Sequence, residues 1–357
     1  MVDLPPNTMV PVYYSTIHQF HNPPHEHDRG FQIPYHEVPR RIEAAKEALE
    51  GLPFTCLEPA NQSVPDSILF SVHQSALVAY LKQASRNAAA WQAEHPEQGE
   101  VYITPWIYPL KPHMRQGLLK SSDPSGCFAF DVDAPIGIHS WEAIQASANL
   151  AYSAAVGVRN GETRLAYALC RPPGHHAGPD YTGGYCYLNN AAIAAQTLIP
   201  LGSGAILDID YHHGNGTQEI FWQRKDVLYV SIHADPNEEY PLFAGYTDEI
   251  GGEDAPGWNL NLPLQMGSGD AAYKEALDTA LKTIQDKGAN WLVLSAGFDT
   301  CADDPTSSFT LSDSMYSHIG EKISELNIPV VVVHEGGYAV EANGRLAARL
   351  LTGLRNG

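Results

Sequence analysis

The sequence predicts a single α/β domain built on an open parallel β-sheet flanked by helices. Two observations carry that prediction. Short apolar runs alternate with segments of helical period, the pattern left by βα units whose strands are buried on both faces. Chemistry-bearing polar residues also cluster at the ends of those runs, where parallel sheets place their ligands. At 357 residues and 44% hydrophobic content, the chain can bury a large core, and α/β folds of this length often form one domain, here residues 1–357.

Strands are expected at 165–170, 204–209, 227–232, 291–296 and 329–333. Helices are expected between and before them, at 39–50, 66–84, 141–156, 189–198, 270–287 and 312–326. The segment at 189–198 is alanine-rich, that at 270–287 stops at Gly288 as a C-cap, and that at 312–326 starts on the N-cap residue Ser312. Two stretches read as long loops inserted in the domain: 13–35, crowded with His, Pro and charge, and 94–123, which holds four prolines. Long ordered loops in a compact domain are more often functional than decorative.

Bulk composition narrows the function classes. The formal charge is −20, from 41 acidic and 21 basic residues, which opposes phosphate backbones and favours the approach of cationic ligands. No nucleic-acid partner is expected. The longest apolar stretches, such as that around Pro329 to Val333, fall far short of the roughly 20 residues that span a bilayer. The first residues lack the basic start and apolar run of a secretion signal, so a cytoplasmic protein with no membrane partner is expected. Five scattered cysteines with no Cys-x-x-Cys pair indicate neither a disulfide framework nor a cysteine-based zinc site.

Four strand ends deliver His, Asp and Tyr toward one rim. After 165–170 comes Arg171-Pro-Pro-Gly-His175-His176, and after Leu207 comes Asp208-Ile-Asp210-Tyr-His212-His213-Gly-Asn215. Gly297-Phe298-Asp299 follows the third run and His334-Glu335-Gly336-Gly337-Tyr338 the fourth. In an extended run, residues 208, 210 and 212 face one side. Asp210 and His212 can then reach one cation, with Asp299 closing the set. Two carboxylates and one imidazole leave a divalent metal an open position, the mark of a catalytic site; zinc fits, and iron(II) or cobalt(II) would accept the same ligands. Taken singly, each residue has a bland reading as a turn former, helix cap or core histidine. Agreement across four strand ends outweighs it.

Adjacent His175 and His176 point to acid–base work beside that metal, since imidazole titrates near neutrality. Asp208 would hold one ring in its charged form. Neutral Asn215 could orient the other without raising its pKa, which makes that ring the better proton acceptor. Tyr338 follows two glycines that allow a sharp turn, and its phenol could stabilise an oxyanion opposite the metal.

In order along the chain, these residues resemble the arginase/deacetylase superfamily, most closely its acetylpolyamine amidohydrolases and class II histone deacetylases. The resemblance covers about Pro34 to Leu351. It rests on Arg-Pro-Pro-Gly-His-His-Ala (171–177), Gly-Gly-Tyr-Cys-Tyr-Leu-Asn-Asn (183–190), Asp-Ile-Asp-Tyr-His-His-Gly-Asn-Gly-Thr-Gln (208–218), Ser-Ala-Gly-Phe-Asp (295–299) and Glu-Gly-Gly-Tyr (335–338). It implies the arginase/deacetylase fold and a zinc-dependent amidohydrolase that releases acetate and a free amine. It implies Asp210, His212 and Asp299 as zinc ligands, His176 as general base and acid, His175 paired with Asp208 as electrostatic partner, and Tyr338 polarising the acetyl carbonyl. Tyr185 and Tyr240 would wall a narrow channel, the Gly184 carbonyl would accept the substrate amide N–H, and Arg41 would line an acetate pocket. A structural potassium ion is implied on main-chain oxygens of Asp208, Asp210 and His212 with Ser231 and Ile232, and a second monovalent site near Phe221, Arg224 and Val227.

The acetylpolyamine enzymes also use an elongated N-terminal loop region to pair subunits and narrow the entrance. The resemblance therefore implies a homodimer in which the 13–35 and 94–123 loops do this, with Glu26 and Asp133 as acidic substrate-binding residues at the mouth. Two departures weaken the match. Only Asp123 stands near the place where some relatives carry a loop Glu, and Thr306 occupies the position of a Glu gate found in some polyamine-selective deacetylases. A small acetylated amine such as an acetylpolyamine is the first substrate reading, and acetyl-lysine in peptides or histones the alternative. A manganese ureohydrolase would need further aspartates to bridge two metals, and a decayed binding module would have lost Tyr338 or one of the paired histidines.

Overall fold

The computed structural model describes residues 9–28 and 30–356. In chain order its strands are β1 (Val10–Tyr13), β2 (His25–Asp28), β3 (Phe31–Pro34), β4 (Thr55–Glu58), β5 (Tyr102–Ile103), β6 (Ile136–Gly137), β7 (Leu165–Ala168), β8 (Gly204–Asp208), β9 (Val227–Ala234), β10 (Asn259–Leu264), β11 (Leu292–Ala296) and β12 (Val330–His334). Eight of them form one sheet in the order β10-β9-β8-β11-β12-β7-β1-β4, and every pairing in it is parallel. The predicted sheet is present. Its outer strands β1, β4 and β10 were not foreseen, because each is short or carries polar residues that blur the apolar run.

Consecutive residues of the central strands enter different cores. Ile206, Val293 and Val331 join one buried cluster, while Leu207, Leu294 and Val332 join the other. A strand covered on both faces needs an unbroken apolar run, since side chains alternate between faces. Burying each such side chain contributes about 1.5–3 kcal/mol. The fully buried Trp291 lies against Gly204, where an added Cβ would come within 2.1 Å of the indole. That contact explains the glycine at the start of β8.

Helices cover both faces close to where the sequence places them: Arg40–Glu50, Ser140–Arg159, Asn190–Leu198, Asp270–Asp286 and Asp313–Ser324. The Asn189 side chain caps the third of these by accepting from Ala192 N. The expected helix at 66–84 is instead two, Asp66–Val72 and Ser75–Glu94, broken at His73 and Gln74, whose backbones are extended. Here tertiary contacts override helical pattern: Gln74 N donates to Pro179 O and the His73 ring bonds Gly178 O and Asn189 N. The C-terminal helix Val340–Asn356 is an addition.

Neither of the two expected loops is structureless. The 13–35 segment holds a 3-10 turn at Thr16–Phe20 and the antiparallel hairpin β2–β3. The 94–123 segment holds β5, paired with β6, and the helix Pro112–Leu118. Among the described residues no helix is long and apolar enough to cross a membrane. All five cysteines are free.

Candidate metal centre and active site

Strands β8, β11, β12 and β7 are consecutive in the sheet, so the four strand ends singled out in the sequence lie side by side. Asp210, His212 and Asp299 meet there with ligand atoms all within 4.8 Å of one another. His212 Nδ1 lies 3.4 Å from Asp210 Oδ1 and 3.3 Å from Asp299 Oδ2. Convergence does not come from an extended 208–212 run, because β8 ends at Asp208. Successive Asx turns do the work: Asp208 Oδ1 accepts from Asp210 N and Asp210 Oδ1 accepts from His212 N.

This donor set fits a divalent cation. Asp299 Oδ2 is buried with nothing closer than the 3.3 Å approach of His212 Nδ1 to satisfy it, and a buried carboxylate so weakly compensated is costly. Burial and the adjacent Asp210 push Asp299 up to about 7, which a cation between the two would reverse. Two nearby glycines keep the space open. A Cβ on Gly297 or Gly336 would lie 2.2 or 2.4 Å from Asp210 or Asp299 carboxylate oxygens. Among the described residues this is the one such group of His, Cys, Asp and Glu.

The paired histidines have different partners. His175 Nδ1 sits 3.1 Å from Asp208 Oδ2 and its Nε2 3.8 Å from Asp210 Oδ1. Burial opposes its charge, but the Asp210 and Asp208 carboxylates outweigh it and raise His175 to about 10. His176 Nδ1 sits 2.8 Å from Asn215 Oδ1. Burial and the facing rings of His175 and His212 hold His176 well below the usual histidine value. One ring is thus kept charged and its neighbour neutral, an asymmetry that separates electrostatic from acid–base roles.

Tyr338 closes the far side of the site. It follows Gly337, whose φ of 115° is left-handed and open to glycine at no steric cost. The Arg41 guanidinium lies 4.8 Å from the Tyr338 ring centroid. Arg41 is fully buried, bonded to the carbonyls of Gly337 and Glu335 and to Glu37.

A cavity open at its mouth reaches this chemistry between Tyr185, Tyr240, Gly184, Asp133, Thr306, His176, His212 and Tyr338. Gly184 must be glycine, because its φ is +51° and a Cβ would sit 2.4 Å from the His176 ring. Tyr240 packs edge-on against His176 at 5.0 Å and His212 at 6.0 Å. Two expected site residues do not line this cavity. Arg41 lies behind Tyr338, and Glu26 lies behind Tyr185 instead of in the mouth. The Glu26 carboxylate is buried because it is saturated by Tyr185 OH, His36 N and the His36 ring.

Some of the residues expected around monovalent ions are neighbours. Ser231 pairs in register with Asp208 across β8 and β9, Ile232 follows it, and Ser231 Oγ bonds His233 Nδ1. Arg224 lies 4.8 Å over the Phe221 ring and donates its N–H to Phe221 O.

Three residues that hold the site were missed. Asp131 accepts from Gly184 N at 2.9 Å and Tyr240 OH at 2.5 Å, joining two channel walls. Glu335 accepts from Gly174 N, His175 N and Ser295 Oγ, fixing the histidine turn to β11. Glu37 accepts from both Arg41 and Arg171. Glu335 had a signal in its place beside Gly336 and Gly337; Asp131 and Glu37 carried none.

An α/β sheet that brings two carboxylates and an imidazole within reach of one cation, beside two adjacent histidines and a phenol, is the arrangement of a hydrolase. More particularly, residues 35–354 match the histone deacetylase domain model, and the chain belongs to that family of amide-hydrolysing enzymes. It is 41% identical over 343 residues to acetylpolyamine amidohydrolase 2 of Pseudomonas aeruginosa, covering 96% of this chain and 97% of that one. It is 40% identical over 337 residues to an acetylpolyamine amidohydrolase of Burkholderia pseudomallei, covering 93% and 96%. The crystal structure of acetylpolyamine aminohydrolase from Burkholderia pseudomallei superposes with a TM-score of 0.87 at 36% identity, covering 96% of this chain and 98% of that one. The HDA15 HD domain superposes at 0.79 with 27% identity, covering 98% and 91%.

Proposed function

We propose that this protein is a zinc-dependent deacetylase of small acetylated amines, with acetylpolyamines as the leading substrate class. One observation carries the reading: a narrow channel walled by Tyr185 and Tyr240, with Asp133 in its lining, ends at His176, Tyr338 and the Asp210–His212–Asp299 centre. Its walls of two tyrosine rings suit a linear aliphatic chain, and Asp133 in its lining suits a cation. The similarity to acetylpolyamine amidohydrolases over nearly the whole chain supports the same substrate class.

Asp210, His212 and Asp299 would hold zinc, which when bound would supply Lewis acidity to the acyl carbonyl and lower the pKa of water at the site. His176, neutral and oriented by Asn215, takes the water's proton and returns it to the leaving nitrogen. His175, kept charged by Asp208 and Asp210, adds positive potential beside the developing oxyanion. The Tyr338 phenol donates to that oxyanion, and one such donor is worth about 10²–10³ in rate. The Gly184 carbonyl orients the amide N–H, and Arg41 supports Tyr338 from behind while lining the side on which acetate departs.

Asp133 carries the attraction for the substrate cation, and Glu26 acts on the entrance through Tyr185. Potassium on the 208–212 turn and the Ser231–Ile232 strand would stiffen the metal loop, and a weaker monovalent site would lie near Phe221, Arg224 and Val227. Iron(II) or cobalt(II) would serve the same ligands. A homodimer in the cytoplasm, paired through the 13–35 and 94–123 segments, completes the proposal.

A competition assay tests it. Zinc-loaded protein given equimolar acetylputrescine and an acetyl-lysine peptide should deacetylate the diamine first. Preference for the peptide would move the assignment to a protein deacetylase.

A further inference from the structure

Asp304, five residues beyond the metal ligand Asp299, is buried and makes four short contacts that join the two sides of the active-site rim. Its Oδ2 accepts from Tyr338 N at 2.5 Å and from Ala339 N at 2.9 Å. Its Oδ1 accepts from Thr306 N at 3.0 Å and Thr306 Oγ1 at 2.8 Å. Thr306 and Tyr338 both line the substrate cavity. We propose that Asp304 is the positioning residue of Tyr338, fixing the phenol at the distance the reaction needs; the inference rests on the assignment of Tyr338 as the carbonyl-polarising donor.

The backbone around Tyr338 shows why such a device is needed. Two glycines precede it, and glycine confers freedom that other contacts must remove. Gly336 is pinned by N–H donation to Asp210 Oδ2 and by accepting from Phe298 N. The Gly337 carbonyl is pinned by Arg41 and Asn343. These contacts stop one residue short of the tyrosine. The Tyr338 N–H and its neighbour's are held by Asp304 alone among the hydrogen bonds of the described residues, on a carboxylate also anchored to the opposite rim.

Asp304 also sits before the first turn of the C-terminal helix, Val340–Asn356, where a carboxylate is favoured by the helix dipole. Helix stabilisation alone would predict a different outcome from phenol positioning. A helix contact that only supports the fold lowers stability and costs activity independently of what residue 338 is. A positioning contact acts through the Tyr338 hydroxyl and loses its effect when that hydroxyl is gone.

The experiment is a double-mutant cycle with zinc-loaded wild type, Asp304→Asn, Tyr338→Phe and the double variant. Turnover is measured on acetylputrescine and on its trifluoroacetyl analogue. The analogue's electron-poor carbonyl needs less polarisation, so the weakest variants keep measurable rates. Asp304→Asn should lower kcat on the acetyl substrate about 10- to 100-fold, the range for removal of one charge-assisted bond, with KM within about 3-fold and one zinc retained. The loss should shrink on the trifluoroacetyl substrate, and in the Tyr338→Phe background it should fall below about 2-fold.

Equal losses in both backgrounds and on both substrates, or loss of zinc, overturns the inference. If Asp304→Asn does not fold, Asp304→Glu, which keeps the charge on a longer arm, enters the same cycle with the same criteria. Failure of the wild type on both substrates would refute the deacetylase reading itself, and is distinct from an active wild type with an additive cycle.

Discussion

Replacing Asn215 by aspartate should move the acid limb of the pH–rate profile without disturbing the metal. Asn215 Oδ1 lies 2.8 Å from His176 Nδ1, and both residues are buried. Substitution by aspartate changes little but the charge. The adjacent pair shows what that charge does, since His175, 3.1 Å from Asp208, is raised to about 10 against the effect of burial. His175 also feels Asp210, so His176 should gain less. A charge-assisted hydrogen bond contributes about 1.5–3 kcal/mol, and 1.36 kcal/mol is one pH unit, so the His176 pKa should rise by roughly one to two units.

A base works only when unprotonated, and raising its pKa withdraws it at low pH. The assay is kcat/KM against pH from 5.5 to 9.5 for zinc-loaded wild type and Asn215→Asp. The variant should lose more activity at pH 6 than the wild type does and recover to within about 2-fold of it at pH 9. An unmoved acid limb, or a loss uniform across pH, would refute the division of roles between the two histidines.

Other substitutions separate the remaining roles. Asp299→Ala should release zinc in dialysis, whereas His176→Ala should retain it while turnover falls at least about 10³-fold, as metal analysis with activity would show. Gly184→Ala should reduce kcat/KM by about 100-fold or more, since the methyl would lie 2.4 Å from His176 and the backbone φ is +51°. His73, buried and bonded to Gly178 O and Asn189 N, is held at about 4 by burial. Its unfolded value is near 6.5, so its stabilisation is full above that pH and is lost as pH falls toward 4. At pH 5 the loss should be about 2 kcal/mol, and His73→Gln should flatten the fall in Tm between pH 7 and 5.

The central fold was legible because a strand buried on both faces leaves a mark that no solvent-facing element does. Val293-Leu294 and Val331-Val332 are apolar at every position because each feeds both cores. The outer strands could not be read so easily. β1 holds a proline, and β10 alternates Asn with Leu because one of its faces carries the Asn259 and Asn261 bonds to Gln218. The break at His73 was invisible because its partners, Gly178 and Asn189, lie more than a hundred residues away.

The chemistry was readable where it sits in dense local motifs. His175 with Asp208, His176 with Asn215, and the Asp210–His212–Asp299 group are brought together as the strand ends require. The supports were not readable. Asp131, Glu37 and Asp304 are single carboxylates whose meaning depends on backbone N–H groups and side chains far off in sequence. Glu26 shows the opposite error: the family resemblance placed it at the mouth, but three donors bury it behind Tyr185.

The most direct test compares kcat/KM of the zinc-loaded enzyme on acetylputrescine, acetylspermidine and an acetyl-lysine peptide, with chelator-stripped protein as the control. The account predicts acetate release from the polyamines at least about 10-fold more efficiently than from the peptide, a difference of about 1.4 kcal/mol in transition-state binding, and none without metal. Equal or better turnover of the peptide, or turnover that survives complete removal of the metal, would contradict it.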